Sequence, residues 1–227
     1  MANALGDSDN SVRASAAQSL RLLDLNDQHI IDILTSWLTE DSHSDEELLQ
    51  AIQTLGAFPK QSSGATAGLI QVVAAPRDLS PYNPQLRASA AKALAAIGDP
   101  TAIPYLLSAF VSAANEAWVR RAMAIALAGF GKGAICSVPY MVPVLDSPEP
   151  DVSIGAAVII SQATESDFPN SAKANWDPKS LGPWRFDRNE KSEFLIVAAA
   201  KKWWQESGQS QHWPACPPGP VGGSQTP

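Results

Sequence analysis

Leu86-Arg87-Ala88-Ser89-Ala90-Ala91-Lys92-Ala93-Leu94-Ala95-Ala96-Ile97-Gly98-Asp99-Pro100 is the stretch on which the fold turns. Leu86, Ala90 and Leu94 stand at offsets of zero, four and eight, which share one helical face. An alanine between two large residues lets a second helix pack close. Gly98 falls twelve residues after Leu86, where it can supply the left-handed conformation that ends a helix.

The register recurs along the chain. Segments starting at Val12, Glu47, Leu86, Val119 and Val152 lie 35, 39, 33 and 33 residues apart. Ala16, Ala51, Ala90, Met123 and Ala156 occupy the fourth offset, and Leu20, Leu55, Leu94, Leu127 and Ile160 the eighth. Gly131 repeats the place of Gly98. A second element repeats as well: Ile103-Pro104-Tyr105-Leu106-Leu107 is echoed 35 residues later by Val138-Pro139-Tyr140-Met141-Val142. Breakers and caps lie between, in Gly6-Asp7-Ser8-Asp9-Asn10, in Ser147-Pro148-Glu149-Pro150, and in Ser44 with Glu47 as a capping box. No stretch alternates with period two for long enough to argue a strand. Repeats of this length, each a helix pair, predict stacking into a solenoid.

These residues resemble the HEAT-repeat family, in the short bacterial form also found in phycobilin lyases. The resemblance rests on Leu5-Gly6-Asp7, Val12-Arg13, Ala16-Ala17 and Leu20, on Leu86-Arg87 through Pro100, and on Val119-Arg120 with Leu127. It covers about residues 3–163. It implies an all-α solenoid of about five helix pairs whose second helices line the concave side. Three repeats depart from the pattern. The second has Glu47-Leu48 in place of Val-Arg, the third has a long loop from Pro76 to Pro84, and the fifth has Ser153 in place of the Arg.

The expected organisation is a repeat solenoid at 1–163, a Trp-rich loop with a C-terminal capping helix at 164–206, and a disordered tail at 207–227. The helix is read over 190–206, with Ile196, Ala199, Ala200 and Trp203 on one face. Ile154 and Val158, on the far side of the fifth repeat, make that repeat apolar nearly all round, so a cap should cover it. The tail has five prolines and four glycines in 21 residues.

Composition narrows the function. A net charge of −7 on 227 residues disfavours binding to the phosphate backbone, so no nucleic-acid partner is expected. No apolar run approaches the ~18 residues of a membrane helix, and no membrane is expected either. The N-terminus lacks the basic start and apolar core of a signal peptide, and the chain begins as if inside a repeat of a longer protein. Cys136 and Cys216, far apart, suggest neither a disulfide framework nor a zinc site, and favour a reducing, cytoplasmic setting.

Chemistry-bearing motifs are sparse. Gly129-Phe130-Gly131-Lys132-Gly133 follows a helix rather than a strand and reads as a helix-to-helix turn, not a phosphate loop. His29, His43 and His212 lie at no metal-ligand spacing, no nucleophile elbow occurs, and Cys136 reads as a buried small hydrophobe. Arg13, Arg87 and Arg120 recur at one register position, either as a ladder for an anionic ligand or paired with acidic loop groups of neighbouring repeats, as the resemblance implies. The seven tryptophans crowd toward the end of the chain, and as a cap core (Trp176, Trp184 and Trp203 with Ile196 and Ala200) they compete with an aromatic cage.

The resulting expectation is a non-catalytic protein-interaction scaffold with no cofactor. The alternatives are a phycobilin-lyase-like HEAT protein and a HEAT-like DNA glycosylase, the latter disfavoured by the acidic charge. The partner face is read from offsets three and six, Ser15, Gln50, Ser89, Ala122 and Gly155, then Gln18, Gln53, Lys92, Ile125 and Val158, polar at the start and apolar at the end. Trp118 and Arg121 join it. No Lys or Arg occurs between Arg21 and Lys60, so Asp45, Glu46 and Glu47 either steer a basic protein partner or form a solvated face.

Overall fold

Local signals in the sequence set the helix boundaries. In the computed structural model, which describes residues 2–23, 27–40, 42–75, 83–166, 168 and 190–219, the elements are helices throughout. Helix α1 (Asn10–Leu22) starts where the Asp9 carboxylate accepts the Ser11 N–H. Helix α2 (Gln28–Trp37) starts likewise on Asp27. The expected capping box is present at α3 (Asp45–Ala57), with Ser44 and Glu47 bonded reciprocally. Helix α4 (Thr66–Ala74) grows out of a 3-10 turn at Ser62–Ala65. Helix α5 (Pro84–Ile97) has the Asn83 side chain as cap and Pro84 in the first turn, where a missing N–H costs nothing. It ends at Gly98, whose φ of 76° is left-handed and whose N–H bonds Leu94.

The remaining helices are α6 (Ile103–Val111), α7 (Ala117–Gly129), α8 (Val138–Met141), α9 (Pro150–Thr164) and α10 (Glu190–Glu206). The first element of the fifth pair is broken. A 3-10 stretch at Gly131–Ser137, the short α8 and a second 3-10 turn at Pro143–Asp146 replace one helix. Pro139 and Pro143 each remove a backbone donor that a continuous α-helix would need.

The chain divides after Ala102 into two compact units, inside the span 1–163 that the sequence reads as one solenoid. In unit 1, α1, α3 and α5 pack side by side as the second helices of successive pairs, with α2 against α3 and α4 against α5. In unit 2, α6 packs on α7, α7 on α9, and the 3-10 stretch with α8 on α9, while α10 packs on α9 and on the 3-10 turn Pro143–Asp146. The repeat register is the core register. Offsets zero, four and eight are buried in every repeat except at Val12, 39% exposed at the open side of α1. The fold class is therefore an all-α solenoid of HEAT-like pairs with a C-terminal helix on the last pair. Ile196 and Ala200 are fully buried in that helix and Lys201 pairs with Asp146. Trp176, Trp184 and the loop from Pro76 to Tyr82 lie outside the described residues.

The tail expected to be disordered from Ser207 is ordered to Gly219. It carries a 3-10 turn at Gly208–Ser210, and Cys216 is bonded to Cys136 across 80 residues. A composition rich in Pro and Gly did not count this covalent tether. The pairing also corrects the reading of Cys136 as a free buried hydrophobe and removes the basis for expecting a reducing compartment.

Candidate functional site

The recurrent arginines act inside the repeats. Arg87 Nη2 donates to the Val73 carbonyl at 3.1 Å, in the last turn of α4. Arg120 Nε donates to the Phe110 carbonyl at 2.8 Å, in the last turn of α6. Arg13 Nη1 reaches the carbonyls of Asp7 (2.6 Å) and Ser8 (3.2 Å), just after the 3-10 turn that precedes α1. Each guanidinium thus satisfies carbonyls left open at the end of the preceding element. Arg13 also reaches forward to Glu47 in the next repeat, and Arg120 to Glu149 at 2.8 Å. Arg121, on the next position of α7, pairs with Asp151 at 2.9 Å. The ladder locks helix pairs together and leaves little of itself for an anionic ligand.

Glu47 explains why the second repeat departs from the Val-Arg pattern. Its carboxylate is fully buried and accepts from Arg13 Nε, from the Ser44 N–H (2.9 Å) and from the Ser44 hydroxyl (2.8 Å), with His43 Nδ1 at 3.1 Å. Burial opposes its charge, yet these bonds, led by that from Arg13, hold the carboxyl at about 2, below its ordinary 4.5. His43 in turn stacks on the buried Trp37, ring centroids 4.6 Å apart, with Nε2 3.2 Å from Glu40. Glu47 is therefore no part of an acidic surface. Capping-box spacing gave its local role, but only the packing of α1 on α3 brings Arg13 to it.

The remaining expected surface residues separate by unit. In unit 1, Ser15, Gln18, Asp45, Glu46 and Lys92 are exposed, and Gln50 and Gln53 are half-buried. Arg21 Nη2 lies 3.4 Å from Gln50 Oε1, and Asn83 donates to Asp45 at 2.5 Å. Ser89 is buried, which removes it from the face. In unit 2 Trp118 is 41% exposed, whereas Ala122, Ile125, Gly155 and Val158 are all buried. The expected apolar end of the face is core, because α7 and α9 are packed nearly all round. A Cβ at Gly155 would meet Ala124 at 2.9 Å and Phe110 at 3.2 Å, so α9 sits too close there for any larger residue.

An aromatic cluster forms where α10 ends. Trp203 lies 6.0 Å from Phe168, 6.4 Å from Trp204 and 6.2 Å from Trp213 between ring centroids. Trp204 and Trp213 stack at 5.8 Å, and Trp213 Nε1–H donates to the Gly208 carbonyl at 3.2 Å. Trp213, which lies in the tail expected to be disordered, is a member of this cluster. Among the described residues no group of His, Cys, Asp and Glu is placed to hold a metal ion, and no single helix is long and apolar enough to cross a membrane.

The HEAT-repeat family model matches residues 44–128 and 79–161, which together span more than half of the chain. The chain belongs to the HEAT-repeat family. Among solved structures it is similar to the complex of CpcE and CpcF of phycocyanin lyase from Nostoc sp. PCC7120, at 23% identity and a TM-score of 0.56 over 73% of this chain. The match spans 64% of that chain. No curated protein matches. The likeness corrects the expectation that this protein is not an enzyme: helical repeats of this shape stand in a lyase, so the lack of a familiar catalytic motif does not exclude one.

Proposed function

We propose that the chain is a HEAT-repeat protein with a phycobilin-lyase-like role, acting together with a second protein. The observation that carries this reading is the shared fold with the CpcE and CpcF complex over 73% of this chain. Its chemistry is bounded by the cysteines. Both sulfurs are in the disulfide, so in this state the chain has no thiolate to bond a chromophore, and its part is to hold or present one noncovalently. The partner face is the second-helix side of unit 1, where Ser15, Gln18, Gln50, Gln53 and Lys92 reach solvent from three successive helices, with Asp45 and Glu46 opposite a basic patch of the partner. Within unit 2, Trp118 and Arg121 form a separate candidate contact.

The test is absorbance spectroscopy of the protein mixed with a free phycobilin, alone and with a phycocyanin apoprotein. A shifted and sharpened bilin band supports the reading. An unchanged spectrum at all ratios, with no retention of the apoprotein on the immobilised chain, rejects it. If Asp45 and Glu46 steer the partner, Asp45→Asn with Glu46→Gln weakens binding and flattens its salt dependence.

A further inference from the structure

The segment after α10 is anchored unevenly. Residues 212–217 have no secondary structure. The Gln211 N–H donates to the Gly208 carbonyl at 3.2 Å, and no further backbone–backbone hydrogen bond follows among the described residues of the tail. Three other anchors remain. Trp213 packs on Trp203 and Trp204. Cys216 is bonded to Cys136. The Gly219 backbone lies on the Pro104 ring, so close that a Cβ there would come within 2.6 Å of it.

The two sulfurs sit in unlike settings. Cys136 is buried in the 3-10 stretch Gly131–Ser137, which is packed on α9 and pinned locally by the Ser137 hydroxyl on the Ala134 carbonyl at 2.6 Å. Cys216 is half-exposed on a coil. One end of the bond is a platform and the other is a strap without backbone pairing, held besides by the Trp213 ring and the Gly219–Pro104 contact.

We propose that the Cys136–Cys216 disulfide is a redox latch, and that a dithiol reductant releases the strap 211–219 from the first-helix side of unit 2 while the helices stay folded. A thiolate of the reductant attacks the accessible Cys216 Sγ, and Cys136 leaves as a thiolate that takes up a proton. The second thiol of the reductant then displaces Cys216 from the mixed disulfide. Two electrons and two protons pass to the protein, and the reductant ends as a disulfide. Release uncovers the Pro104 ring and the Cys136 thiol. The proposal does not depend on what the chain binds.

The test uses the full chain, before and after dithiothreitol in native buffer, read by limited proteolysis with proteinase K, by hydrogen exchange of the helices and by N-ethylmaleimide labelling, all with mass spectrometry. Reduction is expected to speed cleavage within 211–219 at least tenfold and to leave exchange of α7 and α9 unchanged. Cys216 should label much faster than Cys136. Cys216→Ser without reductant should show the same released strap. Unchanged cleavage within 211–219 after reduction overturns the latch, as do two free thiols in the air-oxidised protein. Loss of protection throughout α7 and α9 overturns it too, since the bond would then be a staple of the whole unit.

Discussion

Replacing Glu47 by Gln keeps the shape of the side chain and removes the charge that Arg13, Ser44 and His43 surround. Lowering a carboxyl from 4.5 to about 2 corresponds, at about 1.36 kcal/mol for each tenfold step, to on the order of 3 kcal/mol. Breaking one side of a buried pair costs about 3–5 kcal/mol. Arg13 keeps its bonds to the Asp7 and Ser8 carbonyls, which favours the lower end. The expected loss is about 3 kcal/mol, or roughly 6–12 °C in Tm for a chain of this size. Because the folded carboxyl is depressed, its contribution is fully present above about 4.5 and is lost as pH falls toward 2. Urea unfolding followed by circular dichroism, on wild type and Glu47→Gln at matched pH, should show the full gap at pH 7. The gap should narrow steadily below roughly pH 4.5. A difference under about 0.5 kcal/mol at pH 7, the usual size for a surface substitution, would refute the reasoning. So would a gap that does not change with pH.

Three further outcomes follow from the packing. Arg120→Ala strands the Phe110 carbonyl and unpairs Glu149, and should lower stability by about 2–3 kcal/mol in a urea titration, whereas a ligand-binding Arg would cost little. Gly208→Ala drives a Cβ into the Trp204 ring and 3.0 Å from Trp203, so it should cost about 1–3 kcal/mol and change the near-ultraviolet circular dichroism of the Trp cluster. Trp213→Ala removes a stacked ring and its bond to Gly208, and its melting temperature should fall measurably along with that of Trp203→Ala; an unchanged Trp213→Ala melt would place that ring outside the cluster.

Helix pairs, their register and their caps were legible because they rest on contacts between near neighbours. The offsets zero, four and eight name the core in each repeat, and Ser44, Asp9, Asn83 and Gly98 mark helix ends within a few residues of their bonds. A charged residue at offset zero was legible too, but not its purpose: Glu47 reads as surface until α1 brings Arg13 across 34 residues to it. The apolar end of the expected face failed for a similar reason. Periodicity names the inner face of one helix, while Ala122, Ile125, Gly155 and Val158 are buried by what packs on the other faces. The tail failed most completely, since Pro and Gly content describes a chain left to itself, and Cys216 is not. The sequence by itself therefore determined the helical repeat, the register of its core and the family. The tertiary structure alone decided which charges are buried, which cysteines meet and where the last tryptophan packs, because those depend on contacts between residues far apart in the chain, which no local pattern encodes.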